Sequence, residues 1–163
     1  MTKYVAFLRA INVGGHTIIK MTDLKQIFEA LGLENVQTYI QSGNVIFETE
    51  EEDTASLEKQ IESQVEKATG YKTPLFVRTI REVRAIAGKS PFTAKADETV
   101  HVALLKEKPD KRQQQVLLSF KSDADDFAVK GREVYNLRYD RENLFFPIIS
   151  LKKFLRCRGQ RGI

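Results

Sequence analysis

Cysteine and histidine are almost missing from this chain of 163 residues: Cys157 stands alone, and the two histidines are His16 and His101. A lone cysteine closes no internal disulfide, so a reducing, cytoplasmic setting is expected. It also removes thiolate zinc sites, and with so few imidazoles any metal would rest on carboxylates; neither a metal nor a cofactor is expected. Equally absent is a run of about 18 apolar residues, the length that spans a bilayer, so no membrane partner is expected. The start, MTKYVAFLRAINVGG, pairs a basic residue with apolar ones, but Arg9 and Asn12 interrupt the run and no small-residue cleavage site follows. It reads as a first strand rather than a leader.

What is present is a 42% apolar complement, enough for the core of one domain or two small ones. A formal charge of +4 would normally favour nucleic acid as a partner. Its location argues otherwise. Lys152, Lys153, Arg156, Arg158 and Arg161 lie between Pro147 and Ile163 with no acid among them, so residues 1 to 146 carry −1.

Periodicity then suggests an α+β chain of two linked ferredoxin-like (βαββαβ-type) subdomains. Residues 1–80 form the first. Tyr4 to Ile11 is a strand with Val5, Phe7 and Ile11 on one face; Thr22 caps a helix striped by Leu24, Ile27, Phe28 and Leu31 and ended by Gly32. Val36 to Gln41 and Asn44 to Thr49 make a hairpin around Ser42-Gly43. Acids from Glu50 to Asp53 precede a second helix with Leu57, Ile61 and Val65 inward, and Pro74 to Ile80 is the returning strand. Residues 81–146 repeat the plan imperfectly: a helix over Arg81 to Ala87, a strand over Val100 to Lys106, a helix from Pro109-Asp110 through Phe120 with Lys111, Arg112 and its glutamines on a solvated face, and a hairpin around Gly131. Residues 147–163 form an atypical basic tail.

In such a fold the first and second strands run the same way, so the loop after the first strand and the tip of the second hairpin share one edge. That edge gathers Arg9, Asn12, Gly14, Gly15, His16, Lys20, Gln41, Ser42, Gly43 and Asn44. Donor side chains, loop amides and a helix N-terminus together suit a phosphate or carboxylate. Simpler roles compete. Gly14-Gly15 has neither dinucleotide nor P-loop spacing and serves a turn equally well. Ser42-Gly43-Asn44 is a good turn on its own account, Lys20 reads equally as a solvated residue before the helix, and His16 has no carboxylate at fixed spacing to orient it. Arg9 shares parity with Val5 and Phe7, where a charge needs an anion, a carboxylate or the strand end. Tyr39 and Gln41 face away from Thr38 and Ile40, so the sheet offers an aromatic to a base, although burial in the core or between the halves is the expectation for that face.

LRAINVGGHTIIKMTDLKQIFEALGLENVQTYIQSGNVIFE, with Arg9, Asn-Val-Gly-Gly, a lysine before Met and Tyr-x-Gln-Ser-Gly-Asn in order, resembles the bacterial domain of unknown function 1697 family. Lys89-Ser90-Pro91-Phe92 and GREVYNLRY extend the likeness to about residue 146. The resemblance implies two linked ferredoxin-like subdomains and a shared cluster of Arg9, Asn12, Gly14, Gly15, Lys20, Gln41, Ser42, Gly43 and Asn44. It implies no activity. Three readings follow: a module binding a small anionic or nucleotide-like ligand at the INVGG/QSGN edge, an enzyme of unassigned reaction at the same edge with His16 transferring a proton, and a nucleic-acid binder using the sheet face, which the charge of residues 1 to 146 disfavours. No nucleophile-base-orienter set is visible, and oligomeric state is not legible.

The tail departs from the resemblance. Members continue past a phrase like FFSNN into an apolar helix and a Thr-Thr-Arg-Asn-Trp segment, whereas this chain reads PIISLKKFLRCRGQRGI. Codons able to encode that tail spell NNFIEKILKVPGTTRN in a shifted frame. The competing reading is an amphipathic basic tail lying on the second subdomain or on an anionic surface. The ending is read as a frameshift near Phe146-Pro147, and sequencing the gene checks it: the shifted phrase is expected in the DNA, and codons that cannot yield it end the idea.

Overall fold

The first strand, TKYVAFL, is apolar on both of its faces, and the fold uses both. The computed structural model describes residues 1–9, 11–12, 18–39 and 43–139. Among these, four helices and two antiparallel sheets make an α+β architecture. The chain divides into two units, Met1–Gly88 and Lys89–Ile163. No helix among the described residues is long and apolar enough to cross a membrane.

The first unit runs β1 (Thr2–Leu8), α1 (Met21–Glu29), β2 (Glu34–Tyr39), β3 (Asn44–Thr49), α2 (Thr54–Thr69), β4 (Leu75–Thr79) and α3 (Ile80–Gly88). Its sheet has the order β2-β3-β1-β4 with every neighbouring pair antiparallel. β1 and β2 therefore point the same way, separated by β3. Tyr4, Ala6 and Leu8 of β1 face a core that includes Leu24 and Phe28 of α1, Val45 and Phe47 of β3, Leu57, Ile61 and Val65 of α2, and Val77 of β4. Burying side chains of this size stabilises by about 1.5–3 kcal/mol each. Tyr4 stacks on Phe47 with centroids 5.7 Å apart, and Phe28 meets Phe47 edge-on at 5.6 Å. The Tyr4 hydroxyl donates to Glu51 O at 3.0 Å, and burial holds its pKa above the ordinary phenol value.

This arrangement corrects the sequence reading of β1. Val5 and Phe7 lie on the opposite face from the main core, and Ile11 falls beyond the strand yet joins the core from the loop, 1% exposed. Helix α1 also starts earlier than expected. Lys20 is its N-cap and contributes no side-chain cap, while the Thr22 hydroxyl donates to Asp23 one residue along. The caps of the other long helices follow the acids: Asp53 accepts from Ala55 N, and Asp110 forms a capping box with Gln113. Gln113 is thus engaged, as is Gln114, whose amide donates to Pro109 O, so the glutamines are not simply a solvated face. α3, which the sequence reading placed at the head of the second half, packs on β1 and β4 within the first unit.

β4 is an edge strand, and its exposed side is closed by side chains. The Leu75 N–H donates to Glu62 at 3.1 Å, the Val77 N–H to Glu58 at 2.9 Å, and the Thr79 N–H to Glu82 at 2.8 Å. These are alternate residues, the ones whose amides point away from β1. Glu58 and Glu62 come from α2; Glu82 comes from α3 and is half of a reciprocal cap, since its own N–H donates to the Thr79 hydroxyl. Arg78, 0% exposed, completes the edge: its guanidinium donates to Val77 O at 2.9 Å and lies 3.9 Å from the Glu58 carboxylate. An unpaired edge invites pairing with another chain, and filling its donors with carboxylates removes that template.

The second unit contains β5 (Glu98–Leu104), α4 (Lys111–Leu118), β6 (Asp125–Lys130) and β7 (Glu133–Tyr139), with the sheet order β5-β7-β6. α4 packs on β6, and Leu105, Leu117, Phe127 and Val134 form its core. Asp125 is buried and accepts from the Asn136 amide at 3.0 Å. The basic tail from Pro147, and the last element expected to cover this sheet, lie outside the described residues.

Removing the carboxylate beneath Arg78 strands a buried charge. Glu58→Ala is expected to destabilise the protein by about 3 kcal/mol or more, whereas Glu58→Gln keeps an acceptor for the Val77 N–H and loses less; urea unfolding of both variants measures the difference.

Candidate functional site: the edge beyond the first strand

β1 remains held on both sides as it ends. Leu8 N donates to Gly43 O at 3.1 Å on the β3 side, and Arg9 N donates to Pro74 O at 2.9 Å on the β4 side. The chain leaving β1 and the tip between β2 and β3 therefore meet, although more than thirty positions separate them in sequence. Gly43 has φ of 81°, and a β-carbon built on it would lie 2.6 Å from Ile11 Cγ1 and 3.2 Å from Leu8 Cβ. Both backbone and packing demand glycine there. Ile11 sits on it like a plug.

Asn12, at φ 55°, closes the mouth of the next loop. Its side-chain oxygen accepts from Ile19 N at 2.9 Å, and its amide donates to Ile19 O at 3.1 Å. This two-point clasp ties Asn12 to Ile19, seven positions apart in sequence. It also fixes Ile19 one residue before the N-cap of α1, and the Lys20 carbonyl accepts from Leu24 N at 3.0 Å as the first bond of the helix. Arg9 precedes the clasp and Lys20 follows it, and both side chains are exposed. Neither forms an ion pair among the described residues. The charge on the Val5/Phe7 face is relieved by the strand end, since regular β1 stops at Leu8.

Of the remaining candidates, Asn44 opens β3 and is half-buried. Gly14, Gly15, His16, Gln41 and Ser42 lie outside the described residues. No three histidine, cysteine, aspartate or glutamate side chains among the described residues are grouped to hold a metal ion.

The register adds residues that the candidate cluster lacks. Tyr39 pairs with Asn44, Asn44 with Phe7, and Phe7 with Phe76, so one row crosses all four strands on the face away from α1 and α2. Tyr39 is 62% exposed and lies outside the first unit's core, which corrects the expectation of core burial there. Parity alone could have placed Tyr39 and Phe7 together, had the apolar residues of YVAFL not satisfied both faces.

The fold and this edge define an α+β protein whose first sheet carries a clasped loop against a glycine turn. The family model described as "Protein of unknown function (DUF1697)" matches residues 1–135, and the chain belongs to that family. Among solved structures, conserved bacterial protein SP0830 from Streptococcus pneumoniae is similar, with 23% identity and a TM-score of 0.69 over 86% of this chain and 79% of that one. At that identity the likeness concerns the fold. No curated protein matches the sequence.

The clasp is directly testable. Asn12→Ala loses both bonds to Ile19 and is expected to cost about 1–3 kcal/mol of stability; Asn12→Asp, which retains the acceptor for Ile19 N, should fall between Ala and the parent in thermal unfolding.

Proposed function

We propose that the first unit is a ferredoxin-like module that binds a small anionic, nucleotide-like ligand at the edge formed by the chain after β1 and the β2–β3 tip. The observation that carries this reading is the clasp of Asn12 on Ile19, which sets two exposed cations, Arg9 and Lys20, on either side of one loop mouth. Arg9 and Lys20 form no ion pair among the described residues, and such exposed cations can make charge-assisted hydrogen bonds to an incoming anion. Gly14, Gly15, Gln41 and Ser42 belong to the same proposed site through their sequence position. The strand order β2-β3-β1-β4 with two helices on one face supports the ferredoxin-like plan.

Catalysis at this edge would require a nucleophile, a base and a group to orient it, and the sequence displays no such set, so binding is the reading adopted here. The net charge of residues 1 to 146 argues against a polyanion.

Thermal unfolding of the full chain with AMP, ADP, ribose 5-phosphate and inorganic pyrophosphate tests the reading. At least one is expected to raise Tm by an amount that grows with concentration, as binding to the native state alone requires. The shift should fall in Arg9→Ala and in Lys20→Ala. No shift from any of the four, or a shift unchanged in both variants, overturns the proposal.

A further inference from the structure

We propose, resting on the anion-binding reading above, that the ligand of this edge carries an aromatic base, which stacks on the sheet face at the row Tyr39–Asn44–Phe7. Four observations lead there.

First, the row is real in register: Tyr39, Asn44, Phe7 and Phe76 are successive cross-strand partners on one face. Second, its exposure is graded. Across the sheet, Tyr39 on the border strand β2 is 62% exposed, Asn44 and Phe7 are half-buried, and Val5 and Arg78 one row back on β1 and β4 are 7% and 0% exposed. The accessible aromatic surface is therefore the Tyr39 ring at the β2 border. Third, a cation lies close by. Arg9, exposed and just past the end of β1, is tied by its backbone N–H to Pro74 O; it stands two residues beyond Phe7, a backbone span of at most about 6.8 Å. Tyr39 is two strands from Phe7, about 10 Å across the sheet. Ring and charge are thus separated on the scale of one nucleotide. Fourth, a tyrosine this exposed on a sheet face presents its ring to solvent, and base-on-aromatic stacking is tolerant of base identity because every base has a π face.

Charge complementarity selects the occupant. A second copy of the chain or an apolar peptide would cover Tyr39 but leave Arg9 and Lys20 unanswered. A base-bearing phosphate addresses the ring and the cations together.

Isothermal titration of the full chain with AMP, UMP and ribose 5-phosphate provides the test. AMP and UMP are both expected to bind at least about ten-fold more tightly than ribose 5-phosphate. Tyr39→Ala should abolish most of that preference while leaving ribose 5-phosphate binding unchanged, and Tyr39→Phe should keep it. Arg9→Ala should weaken all three. Circular dichroism of Tyr39→Ala verifies folding, which the exposure of the side chain favours. If ribose 5-phosphate binds as tightly as the nucleotides, or if Tyr39→Ala leaves the preference intact, the stacking proposal is overturned while the anion site stands. If none of the three binds, the stacking proposal fails, and the anion site fails with it when ADP and pyrophosphate are silent as well; and if the chain instead self-associates in a Tyr39-dependent manner without binding nucleotide, the face belongs to a second copy and the proposal is wrong.

Discussion

The buried contact between Arg78 and Glu58 governs the first unit. A guanidinium with no exposure, 3.9 Å from a carboxylate that is itself almost fully buried, is a costly arrangement, because both ions surrender water and recover only part of it from each other. Backbone hydrogen bonds offset the remainder. Glu58 accepts from Val77 N and Arg78 donates to Val77 O, so the pair satisfies the one residue of β4 whose polar groups would otherwise face outward in the middle of the edge. With β4 held this way, β1 lies between two fixed neighbours. The hydrogen bond from Arg9 to Pro74, and with it the position of the first cation at the loop mouth, follows from that placement.

The loop edge obeys a different constraint, backbone conformation. Asn12 and Gly43 both adopt positive φ, and they do so on opposite sides of Ile11. Asparagine tolerates this region because its short amide bonds locally; here that amide reaches Ile19 instead and closes a loop. Glycine is needed for a second reason, the absence of space. One residue thus supplies geometry and a clasp, the other geometry and room, and the apolar side chain between them locks the two segments together.

Much of this could be read from sequence where one signal dominated. The order of elements in the first unit, the buried stripe Leu57, Ile61, Val65, the acidic start of α2 and the approach of Leu8 and Ile11 to Gly43 all follow from period, capping chemistry and strand direction. Where two signals competed, reading failed. Thr22 has the better capping chemistry, yet Lys20 occupies the N-cap because the Asn12 clasp sets the chain's entry one turn position earlier. Val5 and Phe7 look as core-like as Tyr4 and Ala6, since both faces of β1 near β4 are covered. Arg78 carried no signal: its partner lies twenty positions away on a helix, and nothing in VRT marks the arginine as buried. Tyr39 was noticed as an aromatic facing outward, but its exposure depends on where cover on that face ends, which is a tertiary matter.

The β4 edge gains meaning when set against the opposite border of the same sheet. Among the described residues no carboxylate seals β2; instead its pairing with β3 slips between Glu34 and Gln37, with Asn35 at φ 50° donating to Glu48 at 2.7 Å. A bulge spoils an edge as a template by bending it. The sheet is thus finished chemically on one border and geometrically on the other. Growth by strand addition is discouraged at both, and whatever docks on this unit must come to its faces or to its loop end, where recognition depends on side chains rather than on backbone pairing.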